Sequence, residues 1–468
     1  MRHSGVTVIG AGLAGAEATW QIASRGIRVD LYEMRPTRMT EAHVTPGFAE
    51  LVCSNSFGSL TANSASNLLK DELDRLGGFV LGMAREFAVP AGASLAVDRV
   101  KFSEKITSTL QELPNVCVHR EELCEIPASG MVVLATGPLT SPDLANSFCS
   151  LVGQESLYFY DAISPIVLFD SLDTSQMFFG SRYGKGSPDF LNVPLNKEQY
   201  DELIYDLTHG DVVSAHSFEK EKYFESCMPI EVLASRGPKT LSFGPLKPVG
   251  LEIPETGKRA HAVVQLRKEN KYGTAYNLVG FQTKLKYGEQ LRVFRKLPGF
   301  AEAEFVRLGS LHRNTFIDSP RLLSPTLQLR KEPRVFVAGQ LTGTEGYLES
   351  SATGLLAGLN CVRLLEGREP LSLPADTMLG GLLCAITDPE KKNFQPMNSN
   401  IGVLPPLESL PKQLRRDKQA RNAAYAERAL KSLESWLESD ADEMGEFRMP
   451  FLGRDQLRDR AYQPIDLA

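Results

Sequence analysis

The chain has no long hydrophobic run. No apolar segment approaches the roughly 18 consecutive residues that a membrane-spanning helix needs, although hydrophobic residues make up 42% of the 468 positions. The first apolar run, Val6 to Ile9, leads directly into a glycine motif, which is not the pattern of a signal peptide. We therefore expect a cytoplasmic, globular protein of two or three domains.

Cysteine is scarce and irregularly spaced. The chain has 7 cysteines and no C-x-x-C pair. An odd number without close pairing in a chain of this length is not a disulfide framework. The usual zinc and iron–sulfur motifs are missing as well. These absences favour a reducing compartment and a protein without a bound metal.

The chain also lacks an excess of positive charge. Its 51 Lys and Arg against 57 Asp and Glu leave a formal net charge of −6. Bulk charge therefore does not attract nucleic acid to this protein. A nucleic-acid partner would have to be held by local basic patches.

The first thirty-odd residues predict the opening unit of a doubly wound α/β fold. The pattern predicts a strand at Val6–Ile9, a helix at about Leu13–Ser24 that Gly26 ends, and a strand at Arg28–Tyr32. A strand–helix–strand unit of this kind places its two strands in parallel. Residues 34–66 show no clear periodicity and are expected to form a long loop, of a kind that is usually functional or disordered.

The turn after the first strand is a complete G-x-G-x-x-G motif. Its predicted cofactor-binding residues are Gly10, Ala11, Gly12, Leu13, Ala14 and Gly15. The glycines permit a tight turn, a close approach of backbone to pyrophosphate, and close packing of helix on strand. Glu33 ends the second strand and can accept hydrogen bonds from an adenosine ribose. The motif alone leaves FAD and NAD open.

A second glycine-rich turn favours FAD. The strand beginning at Val335 leads into a turn with Gly339, Gly343 and Gly346, and a helix is expected from Tyr347 to Leu365. A second helix N-terminus near the first suits a long dinucleotide such as FAD.

The composition pattern divides the chain into four parts. We expect an FAD-binding domain in residues 1–150 and again in 331–375. An inserted α+β substrate domain is expected in 151–330, where short strands and Pro and Gly turns alternate. Residues 376–468 should form a C-terminal helical segment and tail. Its basic amphipathic helix, at 412–438, places Ala426, Leu430, Leu433 and Leu437 on one face.

Many ordered blocks resemble one family, the folate- and FAD-dependent tRNA (uracil-5-)-methyltransferases, which are relatives of the glucose-inhibited-division-type flavoproteins. The resemblance covers about residues 5–435. Besides the two glycine-rich turns, the blocks are Leu31–Pro36, Phe48–Ser56, Pro90–Gly92, Ala96–Arg99, Ala135–Thr140, Tyr158–Ala162, Cys227–Pro229, Phe243–Leu251, His312–Phe316 and Asn393–Asn398.

The resemblance implies a reaction and its partners. The product would be 5-methyluridine at T-loop position 54 of tRNA, with the carbon from 5,10-methylenetetrahydrofolate. Reduced FAD would supply electrons, and NAD(P)H would restore it. Three alternatives remain: the same chemistry on ribosomal RNA, a plain FAD/NAD(P)H oxidoreductase using Cys53, and a non-catalytic FAD-bound RNA-binding protein.

Two cysteines are the candidate catalytic residues. Carbon 5 of uracil becomes nucleophilic when a thiolate adds at carbon 6, and a base must then remove the carbon-5 proton. The resemblance implies that Cys53 and Cys227 are in the active site. We favour Cys227 as nucleophile and Cys53 as proton acceptor or second thiol, although the reverse is possible. Cys117, Cys124, Cys149, Cys361 and Cys384 are expected to be buried small hydrophobes.

Basic and aromatic residues in two regions are candidates for RNA contact. The candidates are Lys284, Lys286, Tyr287, Arg292, Arg295, Lys296, His312, Arg313, Asn314, Lys412, Arg415, Arg416, Lys418 and Arg421. Each taken singly is more often part of a solvated face.

Overall fold

The computed structural model describes residues 5–153, 157–162, 164–185, 187–213, 228–269, 273–309, 311–391, 394–407 and 417–439. Its strands are β1 (Val6–Ile9), β2 (Val29–Tyr32), β3 (Ser56–Ser59), β4 (Ala88–Val89), β5 (Ser94–Val97), β6 (Val116–His119), β7 (Met131–Leu134), β8 (Leu157–Ala162), β9 (Ile166–Leu168), β10 (Phe178–Phe179), β11 (Leu191–Leu195), β12 (Ala262–Lys268), β13 (Ala275–Leu278), β14 (Phe305–Arg307), β15 (Leu311–Phe316) and β16 (Val335–Val337).

The helices are α1 (Leu13–Ala23), α2 (Ala65–Leu76), α3 (Phe79–Glu86), α4 (Arg99–Gln111), α5 (Pro142–Val152), α6 (Lys197–His209), α7 (Ile230–Ser235), α8 (Thr240–Phe243), α9 (Tyr287–Phe294), α10 (Ser319–Leu322), α11 (Tyr347–Leu365), α12 (Met378–Thr387) and α13 (Lys418–Ser439). The predicted bounds of β1 and α11 are confirmed, and α1 ends one residue earlier than predicted. The expectation for residues 34–66 is corrected, because Ser56–Ser59 pairs with β5 as a strand.

A five-stranded parallel sheet lies at the centre of the first part of the fold. Its order is β16-β7-β1-β2-β6, so the strand that returns late in the chain closes one edge. The buried strands are rich in Val, Ile and Leu, as expected when both faces of a parallel sheet are covered. The Rossmann-like doubly wound fold class is confirmed.

Helices α1 and α11 pack with their backbones in close approach. A Cβ on Gly354 would lie 2.2 Å from the carbonyl oxygen of Ala14, and one on Gly358 would lie 3.0 Å from the Cα of Ala18. Only glycine at these two positions allows this packing. The close approach places the N-termini of both helices at the same end of the sheet.

The second core belongs to a six-stranded antiparallel sheet of order β10-β11-β12-β13-β9-β14. One face packs Val193, Val264, Leu266 and Leu278 against the helices α6, α7 and α9. Successive residues of a strand point to opposite faces, so Gln265, Arg267 and Asn277 lie on the other face.

Helix α13 packs on the first core through its apolar face. Ala426 and Leu433 are buried, and Leu430 and Leu437 are partly buried against the same cluster. This confirms the predicted face; residues 412–416 of the predicted helix lie outside the described residues.

Candidate functional site

The first glycine-rich turn has the backbone that its sequence predicts. Gly10 has a φ of +93°, and a Cβ there would lie 2.6 Å from the carbonyl oxygen of Ala135. A Cβ on Gly15 would lie 1.8 Å from the carbonyl oxygen of Gly10, so helix and strand touch at this point. A Cβ on Gly12 meets nothing within 4 Å. The face of Gly12 is therefore open to a ligand.

The N-terminus of α1 is available for an anion. Gly12 is its N-cap residue, and no side chain caps the helix among the described residues. The first N–H groups of a helix have no intrahelical partner and carry a partial positive charge. Leu13 and Ala14, the next two predicted residues, begin this helix. The arrangement fits a pyrophosphate.

Glu33 lies beside this turn as a carboxylate. Its Oε2 accepts the Ala11 N–H at 3.0 Å, and its Oε1 accepts Arg35 Nε at 2.8 Å. Burial raises the pKa of Glu33, but the hydrogen bond and charge of Arg35 outweigh it, so the pKa lies below its ordinary value. Each carboxylate oxygen can accept more than one hydrogen bond. The predicted role toward a ribose is therefore compatible with these contacts.

The second glycine-rich turn lies against the first. Gly339 has a φ of +76°, and a Cβ there would lie 3.0 Å from the Cβ of Ala14. Gly343 has a φ of +79° and is covered by the ring of Phe394. Gly346, with a φ of +120°, directly precedes α11, whose N-terminus also has no side-chain cap. The start of the second turn thus lies against the start of α1, and α11 begins where this turn ends.

Cys53 is joined to the start of α11. The phenol oxygen of Tyr347 accepts the backbone N–H of Cys53 at 2.8 Å and that of Ser54 at 3.1 Å. Burial, reinforced by the neighbouring Cys53, holds the pKa of Tyr347 far above its ordinary value, so the phenol stays protonated. These contacts bring the predicted thiol next to the second glycine-rich turn.

Three arginines that the sequence analysis did not select lie around the Cys53 loop. Arg99 donates to the carbonyl oxygen of Leu51 at 2.9 Å, and Arg307 donates to that of Val52 at 2.8 Å. The charge of Arg267 interacts with the Cys53 side chain. The sequence did contain a pattern that could have indicated Arg267. It is a charged residue directly after the run Ala262–Leu266, which is apolar except at Gln265.

Cys227 lies outside the described residues, so its role stays a prediction. The described chain resumes at Met228, and Pro229 occupies the N-cap position of α7. The N–H of Ile230 donates to the carbonyl oxygen of Gln282 at 2.7 Å, which ties this segment to the connection between β13 and α9.

Of the remaining cysteines, only Cys361 agrees with the expectation, and Cys149 is half-buried. Cys361 is buried as predicted, and burial raises the pKa of its thiol to about 12. Cys117, Cys124 and Cys384 are exposed, so the prediction that they are buried was wrong. Cys117 occupies the edge strand β6, where its side chain points away from the core.

The candidate RNA-contacting residues are placed in two groups. Arg292 and Lys296 pair with Asp206 at 2.6 and 2.8 Å, so acidic neighbours offset their charges. Lys286 and Tyr287 are more exposed, and Lys286 contacts Asp211 at 3.3 Å. The following candidates lie at positions whose side chains are outside the described part: His312, Arg313, Asn314, Lys412, Arg415, Arg416 and Lys418.

No helix within the described ranges is both long and apolar enough to cross a membrane. The parallel sheet, two apposed glycine-rich turns and a thiol-bearing loop beside them define an α/β dinucleotide-binding protein of the flavoprotein type.

Comparisons with known proteins narrow this class. The family model described as glucose inhibited division protein A matches residues 5–369. A methylenetetrahydrofolate–tRNA-(uracil-5-)-methyltransferase TrmFO of Heliobacterium modesticaldum is 55% identical over 92% of this chain and 98% of its own length. One of the same name from Persephonella marina is 55% identical with the same coverage. The chain belongs to this methyltransferase family.

A solved structure supports the fold alone. The structure of Aquifex aeolicus GidA in its form II crystal has a TM-score of 0.65 at 18% identity, and it covers 95% of this chain and 78% of the GidA chain.

Proposed function

We propose that this protein forms 5-methyluridine at T-loop position 54 of tRNA, with the carbon from 5,10-methylenetetrahydrofolate. The observation that supports this best is the high identity to named methyltransferases over nearly the whole chain. The placement of Cys53 beside the dinucleotide site agrees with it, because the reaction needs a thiol close to a redox cofactor.

The residues present fit FAD. Gly10, Gly12 and the N-terminus of α1 would hold its pyrophosphate, and Glu33 would accept hydrogen bonds from its ribose. Gly339 and the N-terminus of α11 extend the site toward Cys53. When bound and reduced, FAD supplies the electrons that turn a transferred methylene group into a methyl group, and NAD(P)H is the reductant.

The protein's own residues carry the steps on the uracil. A thiolate, which we assign to Cys227, adds at carbon 6 and makes carbon 5 nucleophilic. Cys53 then takes the proton from carbon 5 after the one-carbon unit has been attached. Tyr347 fixes the backbone of the Cys53 loop, and Arg99 and Arg307 anchor the two carbonyl groups that precede it.

The test uses the purified, flavin-loaded protein with labelled methylenetetrahydrofolate, NADPH and unmodified tRNA transcripts. We expect label on carbon 5 of uridine, and loss of labelling in a transcript with cytidine at position 54. Label in a ribosomal RNA fragment but not in tRNA would overturn the substrate assignment. Methyl transfer from S-adenosylmethionine in a folate-free assay would overturn the carbon source.

A further inference from the structure

The six-stranded sheet has a polar face that is largely buried. In the register of β12 and β11, Gln265 pairs with Asn192, and in that of β12 and β13, Arg267 pairs with Asn277. Asn192, Gln265 and Asn277 are all buried. Buried polar groups are costly unless they have hydrogen-bond partners. Each of these side chains therefore needs a partner.

The first cross-strand pair is satisfied within the protein. Gln265 Nε2 donates to Asn192 Oδ1 at 2.9 Å, and Arg182 Nε donates to Gln265 Oε1 at 2.9 Å. Asn192 Nδ2 also donates to the carbonyl oxygen of Gly180 at 2.9 Å. The side chains of Gln265 and Asn192 therefore have their hydrogen-bond partners within the protein and need no ligand.

The second pair has no such partners. Arg267 Nε and Asn277 Nδ2 are buried and have no hydrogen-bond partner among the described residues. Glu269, two residues after Arg267, forms an ion pair with Arg99 at 2.6 Å, and neither of its oxygens accepts a hydrogen bond from the described residues. A buried donor that is left unpaired destabilises the folded protein. Two adjacent unpaired donors are expected where a ligand supplies the acceptor.

These donors lie next to the proposed reaction centre. Arg99 donates to the carbonyl oxygen of Leu51 and pairs with Glu269, and Asn55 Nδ2 donates to the carbonyl oxygen of Lys268 at 2.9 Å, so the strand of Arg267 lies against the Cys53 loop. Burial works to lower the pKa of Arg267, yet a guanidinium stays charged at any relevant pH. The site therefore offers a fixed positive charge and an amide donor close to Cys53, whose thiolate takes the carbon-5 proton in the proposed reaction.

We propose that Arg267 and Asn277 donate hydrogen bonds to the oxygen on carbon 4 of the target uracil. This rests on the function proposed above. Carbon 4 is bonded to carbon 5, so its oxygen lies close to any group that acts on carbon 5. The guanidinium has only donors, and the amide can donate to the oxygen while accepting from the neighbouring N3–H.

The same contacts have a catalytic role. When the thiolate forms its bond to carbon 6, the electron pair of the carbon 5–carbon 6 double bond moves through carbon 4 onto the oxygen. Arg267 and Asn277 stabilise that negative charge more than the neutral carbonyl. When the carbon-5 proton later leaves and the sulfur–carbon bond breaks, the double bond is restored. Cytosine has an amino group at carbon 4, and its donors would face Arg267 and be rejected.

The test compares Arg267→Gln and Asn277→Ala with Arg321→Gln, which changes an arginine with a 72% exposed side chain. For the first two we expect methylation to fall by about 10²–10³-fold in kcat, the usual effect of removing a donor to a developing oxyanion. Covalent trapping by RNA containing 5-fluorouracil should slow in parallel, with FAD content and KM for folate unchanged. Arg321→Gln should match wild type.

Two outcomes overturn the inference. If KM for folate rises while the trapping rate is unchanged, the pair binds a carboxylate of the folate instead. If both variants trap and methylate at the wild-type rate, the pair has no part in uracil binding, although the proposed function stands. A wild-type enzyme that itself neither methylates tRNA nor forms the adduct would instead refute the proposed function. Asn277→Ala, a small change, guards against misfolding of Arg267→Gln.

Discussion

The phenol oxygen of Tyr347 accepts the backbone N–H of Cys53 at 2.8 Å, across 294 positions of sequence. This hydrogen bond joins the loop that follows the first dinucleotide-binding unit to the first residue of the helix after the second glycine-rich turn. In the proposed site, this bond fixes the backbone of Cys53 relative to the start of α11. A reactive group that must meet both a cofactor and a substrate benefits from such rigid placement.

Tyr347→Phe should separate positioning from cofactor binding. The substitution leaves the N–H groups of Cys53 and Ser54 without their acceptor, at a cost of about 1–3 kcal/mol. We expect methylation to fall by roughly tenfold or more, while FAD content stays at one per chain. Tyr205→Phe, at a side chain 61% exposed, is the control. Unchanged kcat in Tyr347→Phe would show that the loop keeps its geometry without this bond.

Gly12→Val should abolish flavin binding without disturbing the fold. Since a Cβ on Gly12 meets no protein atom within 4 Å, the larger side chain projects into the space assigned to the pyrophosphate. The purified variant should be colourless, with the far-ultraviolet circular dichroism of the wild-type apoprotein. Gly288→Val, at a second position whose Cβ meets nothing within 4 Å, should remain yellow. Full flavin absorbance in Gly12→Val would place the cofactor elsewhere.

Glu72 should make stability depend on pH. Its carboxylate accepts the N–H groups of Met378 and Leu379 at the start of α12, at 2.6 and 2.8 Å. Burial outweighs these hydrogen bonds and raises the pKa of Glu72 from 4.5 to about 7. Because the folded pKa is the higher one, the contribution of Glu72 to stability is complete below the unfolded pKa and is lost as pH rises through about 7.

Glu72→Gln cannot titrate, so it isolates this effect. The free energy of unfolding of the variant, relative to that of wild type, should rise between pH 5 and pH 8 by at most about 1.4 kcal/mol per pH unit. The measurement is the difference in Tm between the two proteins across this pH range. Glu17, whose pKa burial also raises to about 7, contributes equally to both proteins and cancels in the difference. Parallel Tm profiles for the two proteins would contradict the assignment.

The parts of the site that the sequence predicted are those set by local rules. Gly10 and Gly15 follow from the backbone that a strand–turn–helix unit needs, and the bounds of α11 follow from the turn ending at Gly346. The contact from Arg307 to the carbonyl oxygen of Val52 spans 255 positions. The approach of Arg267 to Cys53 likewise depends on how the inserted sheet docks. Neither of these two contacts can be predicted from the periodicity of the sequence.

The exposure of Cys117 shows the same limit. Its strand alternates correctly, and Val116 and Val118 pack partly against the first core. However, β6 is the edge strand of the parallel sheet, and Cys117 lies opposite the partly exposed Asp30 of β2, on a face that the described chain leaves exposed at this strand. Which strand becomes the edge is a property of the sheet order, so the burial of Cys117 could not be inferred from its neighbours.

The two candidate cysteines can be told apart by trapping and mutation together. Covalent activation of uracil needs a thiolate, and free cysteine has a pKa of roughly 8.5, so the surroundings of the nucleophile must favour ionisation. Cys227→Ala should bind FAD and RNA normally yet lose methylation, because the missing bond exists only along the reaction path. Cys384→Ser, at an exposed cysteine, should retain full activity.

RNA with 5-fluorouracil should trap wild-type enzyme, since fluorine at carbon 5 cannot leave as a proton does. Peptide mapping should find the adduct on Cys227. An adduct on Cys53 would exchange the two roles, and full activity in Cys227→Ala would remove Cys227 from the mechanism.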